Sequence, residues 1–305
     1  MTADRDGEGG FAIGSVRVPA PALTPGLYIV ATPIGNLGDI TLRALATLAA
    51  VDLIACEDTR VTRVLTGRYG IGTPLLAYHE HNAERQRPKL LAAVGEGKAV
   101  ALASDAGTPL VSDPGYRLVR EAIEAGYAVV PIPGPSATLA ALTVAGLPTD
   151  TFLFAGFLPV KAVARRKRLA ELAAVPATLI FYESPHRLAD SLAAMADALG
   201  GDRQAAVARE LTKMFENVRR GPLAALAEAY AGEPAPKGEL VVLVGPPPAA
   251  TAPSAGDIDR QLAGLLATGS VSQAAQEAAR LTGLPRRELY QRALGLKESG
   301  DDAGD

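Results

Sequence analysis

The chain has 305 residues, of which 48% are apolar, 21% are charged and one is cysteine. This length exceeds that of a typical single domain and predicts two compact units with separate cores. The lone Cys56 lies in an apolar run, which excludes a disulfide framework or a thiolate metal site and predicts a small buried hydrophobe. No apolar run reaches the roughly 18 residues of a membrane span and no signal pattern is found, so we expect a soluble cytoplasmic protein with no membrane partner.

Charge is unevenly distributed along the chain. The formal net charge of −3 includes −2 within residues 1–10 and −4 within residues 298–305, so the remaining body has about +3. Both ends are rich in glycine and acids and poor in large apolar side chains. They predict a disordered tail over residues 1–25 and an acidic tail over residues 298–305. A weakly positive body permits a nucleic-acid partner without requiring one.

Between residues 26 and 147, apolar strand-like runs alternate with amphipathic helical stretches. The runs are LYIVATP, VDLIACED, PLLAYHE, AVALASD and YAVVPIP. Unbroken apolar runs are typical of strands buried on both faces, so the alternation predicts a parallel α/β sheet. Gly- and Pro-rich loops follow the first, fourth and fifth runs. Because ligands bind at the carboxyl ends of such strands, these loops predict a binding site.

A second α/β domain is predicted over residues 148–246, where the strand rhythm restarts after GLPTD. Its runs are TFLFAGFL, ATLIFYESP, AAVAREL and ELVVLVGP. A Pro-, Ala- and Ser-rich linker follows over residues 247–257, and apolar spacing over residues 258–297 predicts short helices that resemble a helix-turn-helix. A packing or dimerising helical cap is the alternative for this last module.

The loops of the first half lack the usual nucleotide-binding motifs. The sequence has no G-x-x-x-x-G-K-[ST], and no G-x-G-x-x-G follows a strand-like run. Glycine allows main-chain N–H and C=O groups to approach a ligand closely. The three loops together therefore predict a small molecule bound through the backbone, whereas each loop alone is also compatible with a plain tight turn.

Seven segments within residues 27–245 have a distinctive content and order. They are VATPIGNLGDIT, ACEDTR, ASDAGTPLVSDPG, PIPGPSA, FYESPHR, ARELTKMFE and KGELVVLV. Together they resemble the tetrapyrrole-methylase superfamily and, within it, the small-subunit ribosomal RNA (cytidine-2'-O)-methyltransferase I family. The C-terminal helical module also fits this family, whereas residues 1–26 are not explained by it.

The resemblance implies two α/β domains with S-adenosylmethionine in the cleft between them, usually in a homodimer. It also implies methyl transfer to the ribose 2'-hydroxyl of a cytidine in the decoding region of 16S rRNA, within the small ribosomal subunit. Three alternatives stay open: a methylase of a small porphyrinoid, a metal-dependent phosphohydrolase, and a ribosome-binding factor without catalytic activity. A basic run over residues 161–168 and the helical module disfavour the porphyrinoid, because a small free acid has no use for either.

The resemblance further implies which residues surround the cofactor. The residues implied near its methionine and ribose parts are Ser104, Asp105, Ala106 and Gly107, with Ser136 and Ala137 beside them at the start of a helix. The residues implied around the adenine are Tyr182, Glu210, Leu211 and Gly238. The lip near the sulfonium and the incoming ribose is implied to be Pro33, Gly35 and Asn36.

Methyl transfer to a hydroxyl depends on alignment and on removal of the hydroxyl proton. The candidate bases are Asp39, Asp105, Glu183, Glu210 and Lys213. We select Lys213 with Glu210 as the catalytic pair, and a base role for Lys213 requires that burial or nearby cations lower its pKa. An ion pair with Glu210 or Glu216, or a contact with an RNA phosphate, is the alternative role for Lys213.

The acidic residues 57–60 suggest a metal site together with Asp105 and Asp113, because hard cations bind clustered carboxylates. However, Asp58 and the threonine after it can cap the next helix, and the arginine at position 60 can neutralise the acids. We therefore expect no metal.

A basic run follows the start of the second half. The residues expected to bind rRNA are Lys161, Arg165, Arg166, Lys167 and Arg168, together with Arg286 and Arg287 of the helical module. Clustered cations can grip phosphates, and a solvated helix face is the alternative. Tyr78, Tyr182 and Phe215 are candidates for stacking on a splayed base or for the core. His79 and His81 lack a third ligand at metal spacing, so we assign them to a substrate-facing or surface loop.

Overall fold

The computed structural model describes residues 9–111, 115–248 and 254–301. The chain forms two compact units, one ending at Pro247 and the other beginning at Pro248. The described part of the first unit contains two five-stranded sheets and a two-stranded hairpin. Within the described ranges, no helix is long and apolar enough to cross a membrane.

The first half of the large unit alternates strands and helices. In chain order they are β1 (Gly10–Ile13), β2 (Val16–Pro19), β3 (Gly26–Val30), α1 (Leu42–Ala50), β4 (Leu53–Cys56), α2 (Thr59–Arg68), β5 (Leu75–Ala77), α3 (Ala83–Gly95), β6 (Ala99–Ala103), α4 (Tyr116–Glu124), β7 (Val129–Ile132) and α5 (Ala137–Ala145). Five of these strands form a sheet in the order β5-β4-β6-β3-β7, and every pairing in it is parallel. The predicted parallel α/β sheet is confirmed.

Both faces of this sheet are buried, which explains the unbroken apolar runs. Leu27 of β3 belongs to the core beneath α3 and α4, whereas Tyr28 and Val30 belong to the core beneath α1 and α2. Cys56 is fully buried in the second of these cores, as predicted, and burial raises the pKa of its thiol. Each fully buried leucine-sized side chain stabilises the fold by roughly 1.5–3 kcal/mol, so the strand ends that support the loops are held firmly.

The second half of the large unit contains a mixed sheet. Its elements are β8 (Phe152–Phe157), α6 (Ala162–Leu172), β9 (Thr178–Glu183), α7 (Leu188–Leu199), β10 (Gln204–Arg209), β11 (Asn217–Pro222), α8 (Leu223–Ala231) and β12 (Leu240–Val244). The strand order is β11-β10-β12-β9-β8, and β8 and β9 are parallel whereas the other neighbours are antiparallel. The predicted two α/β sheets are confirmed.

The sequence did not predict β11. Its residues NVRRGP include two arginines, a glycine and a proline and lack an apolar run. Such a composition is tolerated because β11 is an edge strand that pairs with β10 on one side only.

Helix α5 connects the two halves of the large unit. Ala141 and Leu142 of this helix pack against the second sheet, in a core that also contains Ile34 from the loop after β3. The opposite face of the second sheet is covered by α6, α7 and α8. The site loop at Ile34 is therefore anchored on the second sheet, and a domain boundary between residues 147 and 148 stays a prediction.

Residues 10–19 correct the prediction of a disordered tail over residues 1–25. β1 and β2 form an antiparallel hairpin, and the main-chain N–H of Ala12 donates to the carbonyl of Tyr69 at 2.7 Å. Phe11 is only 2% exposed in the core beneath α1. Composition alone misled the prediction because one buried aromatic side chain and the paired backbone are enough to order this short segment. Residues 1–8 lie outside the described ranges.

The second unit contains three helices within residues 254–301, α9 (Ala255–Leu266), α10 (Val271–Thr282) and α11 (Arg286–Asp301). Ser254 and Ser270 each form a capping box, and Gly283 ends α10 in the left-handed conformation that glycine favours. A small core of buried residues includes Leu262 and Leu289. The helices begin at residue 255, within the predicted linker, and α11 extends into the predicted acidic tail. Residues 249–253 and 302–305 of those two segments lie outside the described ranges.

Candidate functional site

Three loops meet at the carboxyl edge of the first sheet. Thr32 and Gly107 exchange two main-chain hydrogen bonds of 2.9 and 3.0 Å, and the Thr32 hydroxyl donates to the carbonyl of Ser104 at 2.8 Å. The Thr108 hydroxyl donates to the carbonyl of Pro135 at 3.2 Å. The loops after β3, β6 and β7 are therefore joined, as their positions in the sequence led us to expect.

Two adjoining chambers lie along these loops. The first, here called the α2 chamber, has a volume of about 340 Å³ and is bounded by the loop after β3, by α2 and by the start of the loop after β6. The second, here called the β9 chamber, has a volume of about 420 Å³ and is bounded by the end of β9, the start of α5 and the rest of the loop after β6. Ile34, Ala106 and Glu239 line both chambers. A ligand in one chamber is thus adjacent to a ligand in the other.

The predicted site residues divide between the chambers. Those that line the α2 chamber are Pro33, Gly35, Ser104, Asp105 and Lys213. Those that line the β9 chamber are Gly107, Ser136, Ala137, Tyr182, Gly238 and the candidate base Glu183. Ala106 lines both. The sequence therefore identified residues of both chambers without distinguishing the two.

The β9 chamber combines an aromatic wall with the start of a helix. Tyr182 lies edge-on to Phe154 and Phe157, with ring centroids 4.8 and 5.6 Å apart, and its hydroxyl is 2.9 Å from the hydroxyl of Thr138. Ser136 is the N-cap of α5, where the first main-chain N–H groups of the helix are available to a negatively charged group. This arrangement offers a flat apolar surface at one end and hydrogen-bond donors at the other.

Lys213 lies between two carboxylates at the boundary of the α2 chamber. Its ammonium is 2.9 Å from Glu210 Oε1 and 3.1 Å from Glu239 Oε2. Partial burial lowers the pKa of Lys213, but the hydrogen bonds to Glu210 and Glu239 outweigh burial, and the net pKa is raised. The hydrogen bond from Lys213 lowers the pKa of Glu210 in turn. The lowered pKa required of Lys213 as a base is not found, and the structure shows the alternative ion pair with Glu210.

The side chain of Lys213 crosses the loop after β3 at Gly35. A Cβ atom at Gly35 would lie 2.3 Å from Lys213 Cε, and the φ of Gly35 is +136°, which only glycine adopts readily. Gly238 likewise leaves room for the side chain of Glu210, because a Cβ at position 238 would lie 2.3 Å from the Glu210 carboxylate. Glycines that the sequence assigned to ligand contact therefore also make room for the ion pair.

Asp105 lines the α2 chamber and forms no ion pair with any residue in the described ranges. Its Oδ1 accepts a 3.0 Å hydrogen bond from the main-chain N–H of Asp58, and burial raises its pKa above the ordinary value of 3.8. Asp58 itself is the N-cap of α2 and accepts from the N–H of Arg60 at 2.8 Å. The Arg60 side chain, 2.6 Å from Asp58 Oδ2, lowers the pKa of Asp58 to about 2.

These contacts bear on the metal interpretation of residues 57–60. Asp58 caps α2 and pairs with Arg60, which is the alternative considered from the sequence. Among the described residues, no group of three or more His, Cys, Asp or Glu side chains is arranged to hold a metal ion. Asp113, the other carboxylate of that interpretation, lies outside the described ranges.

Two other candidate bases, Glu183 and Asp39, do not line the α2 chamber. Glu183 is buried and accepts hydrogen bonds from the N–H of Ser184 at 2.8 Å and the hydroxyl of Ser191 at 2.6 Å, with Arg187 3.5 Å away. Asp39 lies in a short 3-10 turn, Leu37–Asp39, and lines neither chamber. Neither side chain faces the α2 chamber.

Some predicted residues lie outside both chambers, and other lining residues were missed. Asn36 caps the 3-10 turn by accepting from the N–H of Gly38 at 3.0 Å, and Leu211 is buried in the core beneath α5. Tyr78 is a buried core residue, one of the two roles considered, whereas Phe215 is exposed. The missed residues of the α2 chamber are Thr32, Ile34, Leu37, Val61, Thr62, Val64, Leu65 and Glu239. Four of them lie in α2, where only the cap of the helix was considered from the sequence.

The predicted rRNA-binding residues lie on α6 and α11. On α6, Lys161, Arg166 and Lys167 are exposed, Arg165 is half-buried, and Arg168 pairs with Glu171 at 3.1 Å. The helix follows Phe157, which lines the β9 chamber. On α11, the exposed Arg286 and Arg287 lie at the start of the helix, where Arg286 donates to the hydroxyl of Ser272 at 3.0 Å. Their contact with rRNA stays a prediction.

Comparison with known proteins identifies the class. The model of the Tetrapyrrole (Corrin/Porphyrin) Methylases matches residues 26–227, and that of the RsmI C-terminal HTH domain matches residues 252–297. A uroporphyrin-III C-methyltransferase from Thermus thermophilus, solved with S-adenosylhomocysteine, has a TM-score of 0.51 at 20% identity over 72% of this chain and 96% of its own. A cobalt precorrin-4 methyltransferase of cobalamin biosynthesis has a TM-score of 0.54 at 20% identity over 72% and 94%. The fold and the family match thus define an S-adenosylmethionine-dependent methyltransferase of the tetrapyrrole-methylase class.

Curated relatives narrow the assignment. The ribosomal RNA small subunit methyltransferase I of Mesorhizobium japonicum is 63% identical over 96% of this chain and 99% of its own length. The protein of the same name from Pseudomonas aeruginosa is 50% identical over 88% and 96%. The chain belongs to the ribosomal RNA small subunit methyltransferase I family, which confirms the resemblance drawn from its motifs.

The β9 chamber fits the cofactor of this class. Its volume of about 420 Å³ falls within the range of small-molecule sites, and its wall is mostly apolar with few polar groups. The ring of Tyr182 and the side chain of Leu240 suit an adenine, and the start of α5 suits a carboxylate. Gly107 lines this chamber and has a φ of +81°, which glycine adopts readily. A Cβ at this position would lie 3.4 Å from Cγ2 of Ile34.

Proposed function

We propose that this protein methylates the ribose 2'-hydroxyl of a cytidine in the decoding region of 16S rRNA, within the small ribosomal subunit. The observation that supports a two-substrate transfer is the pair of adjoining chambers with shared walls at Ile34, Ala106 and Glu239. Family membership supports rRNA as the acceptor. The choice of cytidine and of its 2'-hydroxyl rests on the resemblance drawn from the motifs.

The β9 chamber is assigned to S-adenosylmethionine. Of its lining residues, we assign Tyr182 and Gly238 to the adenine and Ser136 and Ala137 to the methionine part. When bound, the cofactor supplies an electrophilic methyl group on its sulfonium. The chain contributes alignment, because the loops that separate the chambers are held by main-chain hydrogen bonds between Thr32 and Gly107.

Asp105 is assigned as the group that accepts the proton of the ribose hydroxyl. It lines the α2 chamber and not the β9 chamber, so we place it against the acceptor and not the cofactor. Among the five candidates, Glu183 is held by Ser184 and Ser191, and Glu210 is paired with Lys213. A carboxylate whose pKa burial has raised is a better base than an ordinary aspartate.

Lys213 is assigned as a positioning residue in its charged form. Its ammonium joins Glu210 to Glu239, and its stem rests on Gly35, so it fixes the loop after β10 against the loop after β3. The turn is strained, since Glu210 and Thr212 have φ values of +51° and +68°. Strain of this kind persists where surrounding contacts determine the conformation, which is expected at a site that aligns two substrates.

The exposed cations of α6 are assigned to rRNA phosphates near the opening of the β9 chamber. Lys161, Arg166 and Lys167 project from a helix that begins five residues after Phe157, a lining residue. Counterion release by such cations supplies sequence-independent affinity for RNA.

A homodimer and a cytoplasmic location stay predictions. Sedimentation of the purified protein tests the homodimer.

A porphyrinoid acceptor is the alternative within the class, because the solved neighbours include methylases with porphyrin and corrin names. The helical module and the exposed cations of α6 disfavour it, because a small free acid has no use for either. Membership of a methyltransferase family disfavours a phosphohydrolase. A ribosome-binding factor without catalytic activity would bind subunits without transferring a methyl group.

The experiment incubates the protein and methyl-labelled S-adenosylmethionine with small ribosomal subunits that lack the modification, and maps the label by nucleoside mass spectrometry. We expect label in 2'-O-methylcytidine within the decoding region. Subunits from a strain that already carries the modification are the matched control and should accept no label. Label in a base, in another nucleotide or in a porphyrinoid only would contradict the proposal.

A further inference from the structure

Helix α2 has an apolar stripe that the core of the protein does not cover. Val61 and Val64 are 46% and 63% exposed, although Leu65 on the same side of the helix is buried. All three residues line the α2 chamber. A helix of a folded protein normally turns such a stripe toward the core, so an uncovered stripe that faces a chamber indicates a ligand surface.

The stripe faces the same chamber as the proposed proton acceptor. Asp105 lines the α2 chamber and is next in the chain to Ala106, which lines both chambers. Val61 and Val64 line the α2 chamber alone. A ribose beside Asp105 would therefore be next to the cofactor. The base attached to that ribose would then extend toward α2.

The charge of α2 suits a nucleotide more than an apolar peptide. The helix contains Arg60, Arg63 and Arg68, all exposed, and no acidic residue, and Arg60 pairs with Asp58 at the N-cap. Arg63 lies beside the valine stripe at helical spacing, so a phosphate that flanks a bound nucleoside would meet a cation. The chamber volume of about 340 Å³ is at the lower end of small-ligand sites and too small for a base-paired helix.

We infer that the α2 chamber is the subsite of the target nucleoside, with its splayed base lying against Val61 and Val64 and its ribose beside Asp105. This assignment rests on the proposed function. It predicts that rRNA is recognised with one nucleotide extruded from its stack, because single-stranded bases can enter an apolar pocket that a duplex cannot. Arg63 then contacts a phosphate beside that nucleotide.

The test compares Val64→Glu with Ile123→Glu. Both positions hold apolar residues on helices that pack against the first sheet, and the exposed fraction is 63% for Val64 and 61% for Ile123. Ile123 of α4 lines neither chamber. S-adenosylmethionine affinity is measured by calorimetry, and methyl transfer is measured on unmodified small subunits. We expect Val64→Glu to lower kcat/KM for subunits at least about tenfold and to keep the cofactor affinity within about twofold. Ile123→Glu should match the parental protein in both measurements.

Each outcome decides the inference. Parental kcat/KM in Val64→Glu overturns the assignment, and loss of cofactor affinity in Val64→Glu also overturns it by placing the cofactor in the α2 chamber. If the parental protein itself labels no subunits, the proposed function fails and the nucleoside assignment fails with it. A photoreactive p-benzoylphenylalanine at position 64 provides a measurement independent of turnover. It should cross-link to the methylated nucleotide or its immediate neighbours, and the same group at position 123 should not.

Discussion

Asp105 shows how the surroundings of a single residue determine its chemistry. In the sequence it is one of five candidate bases, from which we select Lys213 with Glu210. In the fold it is half-buried, accepts a hydrogen bond from the N–H of Asp58 and forms no ion pair with a described residue. Burial disfavours its charged form, so its pKa is raised. A deprotonated Asp105 is nevertheless the form that can accept a proton.

We expect Asp105→Asn to lower kcat by about 10²- to 10⁴-fold, the usual contribution of a general base. The kcat/KM of the parental protein should rise with pH through the Asp105 pKa, which lies above 3.8, and this acid limb should be missing in the variant. Rates are measured with small subunits across pH, and cofactor affinity is measured by calorimetry. Asp150→Asn, at an exposed position, is the control, and parental kcat in Asp105→Asn would refute the base role.

Gly35 is the residue whose backbone and neighbours both exclude a side chain. Alanine at this position must adopt φ +136° and must displace Lys213 from Glu210 and Glu239. We expect Gly35→Ala to lower the free energy of unfolding by about 1–3 kcal/mol and to slow methyl transfer. Urea denaturation measures the first effect. Gly67→Ala in α2, where a Cβ meets nothing within 4 Å, should be neutral or stabilising by about 0.5–1 kcal/mol. Equal stability of the two variants would contradict the account of Gly35.

At the scale of elements, the β1–β2 hairpin is the feature that composition did not reveal. It is attached to the first half of the large unit by the side chain of Phe11, which lies in the core beneath α1, and by the hydrogen bond from the N–H of Ala12 to the carbonyl of Tyr69 at the end of α2. We expect Phe11→Ala to lower the free energy of unfolding by about 3 kcal/mol or more, since it removes a fully buried aromatic ring. Ile13→Ala, at a residue that is 43% exposed, should change it by less than about 0.5 kcal/mol. Urea denaturation compares the two, and a negligible effect of Phe11→Ala would show that the hairpin does not stabilise the fold.

At the scale of the whole molecule, cations are used differently in the two units. In the helical module, Arg260, Arg280 and Arg292 pair with acids of the same module. On α6, Lys161, Arg166 and Lys167 are exposed on a helix that follows the β9 chamber. We therefore expect α6 to make the larger electrostatic contribution to binding of the small subunit.

The variant with Lys161→Gln, Arg166→Gln and Lys167→Gln should bind subunits more weakly and should depend less on salt. Removing one cation that binds a phosphate reduces the slope of log K against log salt by about 0.7. Filter binding over a range of salt concentrations measures both effects. Arg286→Gln with Arg287→Gln tests the module in the same assay and should have a smaller effect. Arg120→Gln, which removes an ion pair with Glu124 on α4, is the neutral control, and an unchanged slope in the α6 variant would contradict the assignment.

The fold was largely predictable because its strands have a strong local pattern. The strands of the first sheet were visible because each is buried on two faces, and the Gly- and Pro-rich loops that follow them were visible as interruptions. β11 was missed because an edge strand needs no apolar run, and the hairpin was missed because a single phenylalanine stabilises it. The exposed stripe of Val61 and Val64 was missed because a helical pattern does not show whether the core covers it.

The family, the alternation of strands and helices, and several of the residues that line the two chambers were predictable from the sequence. These properties follow from local composition and from motifs, which are written in consecutive residues. Three properties of the site were established by the fold: the ion pairs of Lys213 with Glu210 and Glu239, the hydrogen bond from Asp58 to Asp105, and the division into two chambers. Protonation and cavity shape depend on groups that are distant in the chain and become neighbours only when the sheets and α5 pack together.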